Sequence, residues 1–208
     1  MSWIEVLVEG PSDVPVIREI LKRKFSLIEN ENFRIHPHQG RGHLPSDVLC
    51  KPGLKNRSLL NQLSAKLRGY STWFTRQDWV LVVIDADTTP CDQLVRDLNA
   101  ILLKIPKFPR VLFAIAVEET ESWFIADTAA IKKAYPDANL SQLKKIAPDA
   151  VCGAWERLSE SIQAKSRDKT VWAENIAPHL NLVTPHSPSL KRVIEGIERE
   201  LKAPARHP

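Results

Sequence analysis

The stretch "DWVLVVIDAD" (residues 78–87) is the part of this sequence that decides the fold. From Trp79 to Ile84 it is apolar without a break, so neither face of the segment can meet water. That is the pattern of a strand inside a parallel sheet covered by helices on both sides. The run stops at Asp85, and Asp87 follows two residues later. Working outward, "WIEVLVE" (3–9) and "RVLFAIAVEE" (110–119) read as further buried strands, and "FRIHPH" (33–38) alternates like a shorter one. Helical patterns lie between them. "SDVPVIREILKRKFSLI" (12–28) repeats Val16, Ile17, Ile20, Leu21 and Phe25 at helical spacing, with Ser12 as its N-cap and Pro15 tolerable in the first turn. A basic helix is expected over 55–70 and another over 90–103, whose Leu94, Leu98, Ile101 and Leu102 share one side. "QGRGHLPSDVLCKPG" (39–53) is punctuated by Gly and Pro and reads as loop, while "TESWFIADTAAIKKAY" (120–135) begins helical. Strands and helices alternate to about residue 127, which predicts an α/β fold with a mostly parallel sheet flanked by helices. Residues 128–208 carry no strand pattern and are expected as a C-terminal helical cap packed on the 1–127 core.

Length and composition narrow the function classes. A chain of 208 residues suits one core with a modest appendage. With 43% apolar and 26% charged residues it is neither disordered nor fibrous. No apolar run approaches the length needed to cross a bilayer, and the first residues, with Glu5 and Glu9, lack a basic-then-apolar leader pattern. No membrane role is expected. Cys50, Cys91 and Cys152 are odd in number and widely spaced, which suits a reducing cytoplasm better than a disulfide framework or a zinc knuckle. The net charge of +4 is unevenly spread. Residues 51–76 hold Lys51, Lys55, Arg57, Lys66, Arg68 and Arg76 with no acid, whereas 77–127 are rich in Asp and Glu. A basic face beside an acidic pocket suits a metal-dependent enzyme acting on a phosphate backbone. Charge alone equally describes a solvated helix face.

The acids are better placed than their number suggests. In parallel α/β sheets, ligands bind beyond the carboxyl ends of the strands. The predicted strands end at Glu9, at Asp85 and Asp87, and at Glu118 and Glu119 with Glu121 just behind. Crowded carboxylates raise one another's pKa values, and the usual relief is a hard cation, here Mg²⁺ or Mn²⁺ because every donor is oxygen. Singly, each acid has an ordinary explanation. Glu9 could be a turn residue above a Gly10 that lets the chain reverse. Asp85, Asp87, Thr88 or Thr89 could cap the following helix, and Glu118, Glu119 and Glu121 could be its favoured acidic first turn. Together, at three strand ends, they point to a site. Arg41 in "QGRGHL" (39–44), which lacks P-loop spacing, joins Lys55, Arg57, Lys66, Arg68, Lys165 and Lys169 as residues able to contact a nucleic-acid backbone. His36 and His38 read as surface histidines, and Trp123 and Phe124 as core.

These residues carry a resemblance. "LVEGPSDVPVI" (7–17) followed by "VVIDAD" (82–87) resembles the Toprim domain shared by bacterial primases, topoisomerases and OLD-family nucleases. "AVEETESWFIAD" (116–127) is similar to a motif of stand-alone bacterial Toprim-like proteins, and "KSRDKTVWAENIAPHLNL" (165–182) and "SPSLKRVIEGI" (187–197) extend that likeness. The resemblance implies a metal ligand or general acid/base at Glu9, an acid at the first helix in Asp13, and a metal-binding pair in Asp85 and Asp87. It further implies an Mg²⁺- or Mn²⁺-dependent nuclease acting on DNA or RNA, in bacterial genome defence and often beside an ATPase partner. Two alternatives stand. "VVIDADTT" (82–89) also fits the haloacid-dehalogenase pattern, in which Asp85 would be a phosphoryl-accepting nucleophile, although that family carries the motif on its first strand. A non-catalytic subunit could also keep the fold and lend its basic surface to nucleic acid or an ATPase.

Overall fold

In the computed structural model, which describes residues 2–53, 55–87, 89–150 and 153–204, four strands form one sheet. They are β1 (Ile4–Val8), β2 (Phe33–Pro37), β3 (Trp79–Asp85) and β4 (Arg110–Ala116). Their order is β2-β1-β3-β4 and every pairing is parallel, so all four carboxyl ends open on the same edge. Thr88 and Cys152 lie outside the described residues.

The helices are α1 (Asp13–Glu19), α2 (Leu59–Tyr70), α3 (Cys91–Leu102), α4 (Glu121–Ala126), α5 (Thr128–Ala134), α6 (Ala154–Ser161), α7 (Lys169–Ile176) and α8 (Pro188–Lys202). They cover both faces, as the unbroken apolar run of β3 requires. On one face Trp79, Leu81 and Val83 join Ile4, Val6 and Val8 against Val16 and Ile17 of α1. Trp172 and Ile176 of α7 and Leu190, Val193 and Ile197 of α8 complete that layer. On the other face Leu7, Val80, Val82 and Ile84 meet Leu59, Leu63 and Leu67 of α2 and Leu94, Leu98 and Ile101 of α3. The C-terminal helices therefore share one core with the sheet. Trp123 and Phe124 are buried in it, and the Trp123 indole N–H donates to Ser189 Oγ at 2.8 Å. No helix among the described residues is long and apolar enough to cross a membrane.

Several local expectations are corrected. The first helix does not run to residue 28. Its last turn widens into a π turn over Ile20–Lys24, and Ser26 turns left-handed with φ 56°. The basic helix starts at Leu59 rather than 55, because the first N–H groups of α2 bond outward: Leu59 N–H to Gly40 O and Leu60 N–H to Arg41 O. Ser12 makes no side-chain cap. Asp13 instead braces the turn before the helix, its Oδ2 accepting from the Gly10 N–H at 2.9 Å. Gly10 itself needs no left-handed conformation, and a Cβ there would meet nothing nearer than Ser12 Oγ at 3.8 Å. A glycine that the fold does require is Gly42, where φ is +68° and a Cβ would fall 2.2 Å from Ser58 Oγ.

Candidate functional site

The carboxyl edge gathers acids from three strand ends. Glu9, just past β1, accepts the Asp85 backbone N–H through Oε1 at 2.9 Å, which joins the ends of β1 and β3. Asp13, buried in the first turn of α1, accepts from Thr120 Oγ1 at 2.8 Å, which joins α1 to the chain after β4. Lys169, the first residue of α7, places its ammonium 3.2 Å from Glu119 Oε1 and 3.3 Å from Glu121 Oε1. The same ammonium lies 5.3 Å from the centre of the Trp155 ring, a cation–π contact. Glu9, Asp13, Asp85, Glu119 and Glu121 thus form one cluster with Lys169 as its internal counter-charge.

The electrostatics follow from that crowding. Part of Asp85 still reaches solvent, yet burial of its carboxyl, reinforced by Asp13, Glu9, Glu121 and Glu119, holds its pKa well above the ordinary range. Burial pushes Glu9 up to about 8; Asp13 and Asp87 push the same way, against the Asp85 N–H and Arg41. Asp13 and Glu121 are also raised, chiefly by burial. Burial works to lower Lys169, but Glu121 and Glu119 outweigh it and keep the ammonium charged.

The other acids lie differently. Asp87 is exposed and pairs with Arg41 at 3.2 Å; the same guanidinium donates to Ala86 O and Thr89 Oγ1, both at 3.2 Å. Arg41 thereby clamps the turn that follows β3. Glu118 points away from the cluster and accepts the Gly153 N–H. The cause is backbone geometry. Asp87 (φ 47°) and Glu118 (φ 63°) are both left-handed and bonded to each other, Asp87 N–H to Glu118 O at 3.1 Å. Left-handed non-glycine residues are uncommon and cost energy, and they concentrate at functional sites. Here they steer Glu118 outward and leave Glu119 and Glu121 facing Asp85.

The basic residues divide in the same way. Lys55, Arg57 and Lys165 are exposed, and Lys66 is half-buried beside β2. Arg68 is not free for phosphate, because its guanidinium is spent on Val48 O and Leu49 O. Lys169 serves the acids, as above. Of the two histidines, His36 stays partly exposed and only His38 leaves the surface. His36 pairs with Glu5, and His38 is buried with Nδ1 at 2.8 Å from Val8 O. Thr120 was missed by sequence reasoning, although a hydroxyl residue sits between two of the acids, Glu119 and Glu121.

Among the described residues no three His, Cys, Asp and Glu side chains are already drawn into a metal cage. The donor set nevertheless fits a hard divalent cation. Every donor is oxygen, the carboxylates repel one another, and Glu119 Oε2 is buried without a hydrogen-bond partner. The profile of a domain of unknown function, DUF4276, matches residues 8–198. The chain belongs to the DUF4276 family. No curated protein matches this DUF4276 chain, and neither does any solved structure. The match runs from Val8, before Glu9, to Glu198 of α8, so this DUF4276 region takes in the whole acid cluster together with Lys169.

Proposed function

We propose that this protein is an Mg²⁺- or Mn²⁺-dependent phosphodiesterase of Toprim type that cleaves nucleic acid. The observation that carries the reading is the meeting of Glu9, Asp85, Glu119 and Glu121 around one charged lysine at the carboxyl edge of a parallel sheet. Leaving such a group of carboxylates half-satisfied costs stability, so a fold that retains it has a use for it.

Asp85 and Glu119 would hold the cation, with Glu9 beside them. When bound, Mg²⁺ or Mn²⁺ supplies Lewis-acid polarisation of a phosphoryl oxygen. The chain's own residues do the rest. Lys169, between Glu119 and Glu121, offsets their charge and holds both carboxylates in place. Glu9, with a pKa of about 8, carries a proton at neutral pH that it can give to a leaving oxygen. Asp13, tied to Gly10 N–H and Thr120, fixes the turn on which Glu9 stands. Arg41 holds Ala86, Asp87 and Thr89 together after β3, while exposed Lys55, Arg57 and Lys165 supply charge for a phosphate backbone.

Glu9 and Asp13 favour this reading over a haloacid-dehalogenase-like phosphatase, which needs Asp85 but has no use for the end of β1. They also favour it over a binding subunit, which has no need of clustered acids. A cytoplasmic setting is in keeping with the free thiols of Cys50 and Cys91. A defence role beside an ATPase rests on the Toprim likeness alone.

The test is cleavage of plasmid, single-stranded DNA and RNA with Mg²⁺ or Mn²⁺. Cleavage by wild type that stops with EDTA and with Asp85→Asn is the expected result. No cleavage of any of the three, or full turnover of a small phosphate ester by Glu9→Gln, would sink the proposal.

A further inference from the structure

A second polar site lies one strand away from the carboxylates. After Pro37 ends β2, the chain runs beside β1: His38 N–H donates to Val8 O at 3.1 Å and Gly40 N–H to Glu9 O at 2.9 Å. Gln39 N–H donates to Arg57 O at 3.0 Å, which ties this loop to the segment leading into α2. Between β2 and α2 these bonds leave a cavity of about 400 Å³, lined by His36, His38, Gln39, Arg57, Gln62 and Lys66. No acid lines it.

Among the described residues three of these groups find no partner. His38 is only 6% exposed, and with Nδ1 against Val8 O its Nε2 is buried with no hydrogen bond. A buried polar atom of this kind is rare unless a ligand or water serves it. Among the described residues, the Arg57 guanidinium makes no hydrogen bond or ion pair, and neither does the half-buried Lys66 ammonium. Glu5, the nearest carboxylate behind the cavity, is taken up by His36 and by the Trp3 indole N–H. Two unpaired cations around one concavity are what an anion needs, and the His38 Nε2 lone pair leaves room for a water between ring and anion.

We propose that this cavity is a phosphate subsite, in which Lys66 and Arg57 donate to the anion, while His38 Nε2, an acceptor because Nδ1–H donates to Val8 O, is served by a water that donates on to it. Neighbouring strands lie about 4.8 Å apart, so the end of β2 sits beside the end of β1 that carries Glu9. A chain threaded across the edge places one phosphate at the carboxylates and the adjacent one in the cavity. The assignment of that phosphate to a nucleic-acid chain rests on the phosphodiesterase reading; the anion site rests on the cavity alone.

Two probes in EDTA test this on the full-length protein: inorganic phosphate by calorimetry, and a 5′-fluorescein single-stranded oligonucleotide by anisotropy. The proteins compared are wild type, Asp85→Asn, Lys66→Arg, and the double variant Arg57→Gln with Lys66→Met, each checked by thermal melting. Wild type binds both probes and phosphate displaces the oligonucleotide. The double variant binds both at least tenfold more weakly, while Lys66→Arg and Asp85→Asn keep wild-type affinity or better. Phosphate binding that survives the double substitution, or wild type that binds neither probe, overturns the subsite. Loss of phosphate binding with oligonucleotide binding intact supports an anion pocket for a free phosphate and overturns its place along a chain. If these binding results hold and no substrate is cleaved, the phosphodiesterase reading fails and the subsite stands.

Discussion

Strand β3 is bracketed by two aspartates that the protein treats in opposite ways. Asp78, just before the strand, is 7% exposed and well served: Oδ1 accepts from Trp3 N–H, and Oδ2 accepts from the N–H and the hydroxyl of Thr75, each at 2.7 Å. Asp85, at the other end, accepts no hydrogen bond from any described residue through its carboxylate and faces four other acids. A carboxylate supplied with neutral donors holds a fold together, whereas one set among like charges weakens it until something positive arrives. The amino edge of the sheet supplies its carboxylate with donors, and the carboxyl edge leaves its own among like charges.

The largest effect should come from Asp85→Asn. It should lower metal-dependent cleavage by roughly a thousandfold, the scale of removing an electrostatic group at a reacting centre. The metal-free protein should be no less stable, since one repelling charge leaves the cluster. A urea titration in EDTA that shows clear destabilisation would erase the contrast between the two ends of β3.

Asp78→Ala should do the reverse. It strands the Trp3 and Thr75 N–H groups in a buried setting and should cost roughly 2–4 kcal/mol in unfolding free energy. Per folded molecule, cleavage should be unchanged. Activity lost in proportion to the Asp85 variant, with folding intact, would mean that the amino edge is not merely structural.

The pH dependence of stability comes next in size. Glu9 binds its proton more tightly in the folded protein, with a pKa of about 8 against an ordinary 4.5. Its stabilising contribution is therefore complete below pH 4.5 and is lost as pH rises through about 8, at a rate of no more than about 1.4 kcal/mol per pH unit. Unfolding in EDTA at pH 5, 7 and 9 should show stability falling across that window. Glu9→Gln should flatten the fall, and an unchanged slope in that variant would remove Glu9 as its source.

The smallest effect should be that of Gly10→Ala. Because Gly10 is not left-handed and has room for a Cβ, the change in stability should stay within about 1 kcal/mol. A larger loss would mean that the turn after β1 depends on glycine.

Much of this arrangement is legible in the sequence, for a definite reason. The apolar run of β3 and the acids at the ends of β1, β3 and β4 lie within single elements, and a parallel sheet brings such ends to one edge. What escapes sequence reading is whatever lies opposite. Thr75, three residues before Asp78, marks only a local turn; the Trp3 N–H that completes the service of Asp78 meets it in three dimensions alone. Lys169 reads as a phosphate contact until α7 packs it between Glu119 and Glu121. Glu118 resembles its neighbours until its left-handed backbone turns it toward Gly153. His38 reads as a surface residue because periodicity in a short edge strand does not reveal that α2 covers its end.

Binding of Mn²⁺ at pH 7.5 tests the central claim most directly, measured by calorimetry on wild type and on Asp85→Asn. If the carboxyl edge is a cation site, wild type binds the ion and melts at a higher temperature with it, and Asp85→Asn loses both responses while Asp78→Asn keeps them. Wild type that takes up no ion, or an Asp85→Asn variant that binds it as well as wild type does, would contradict the account.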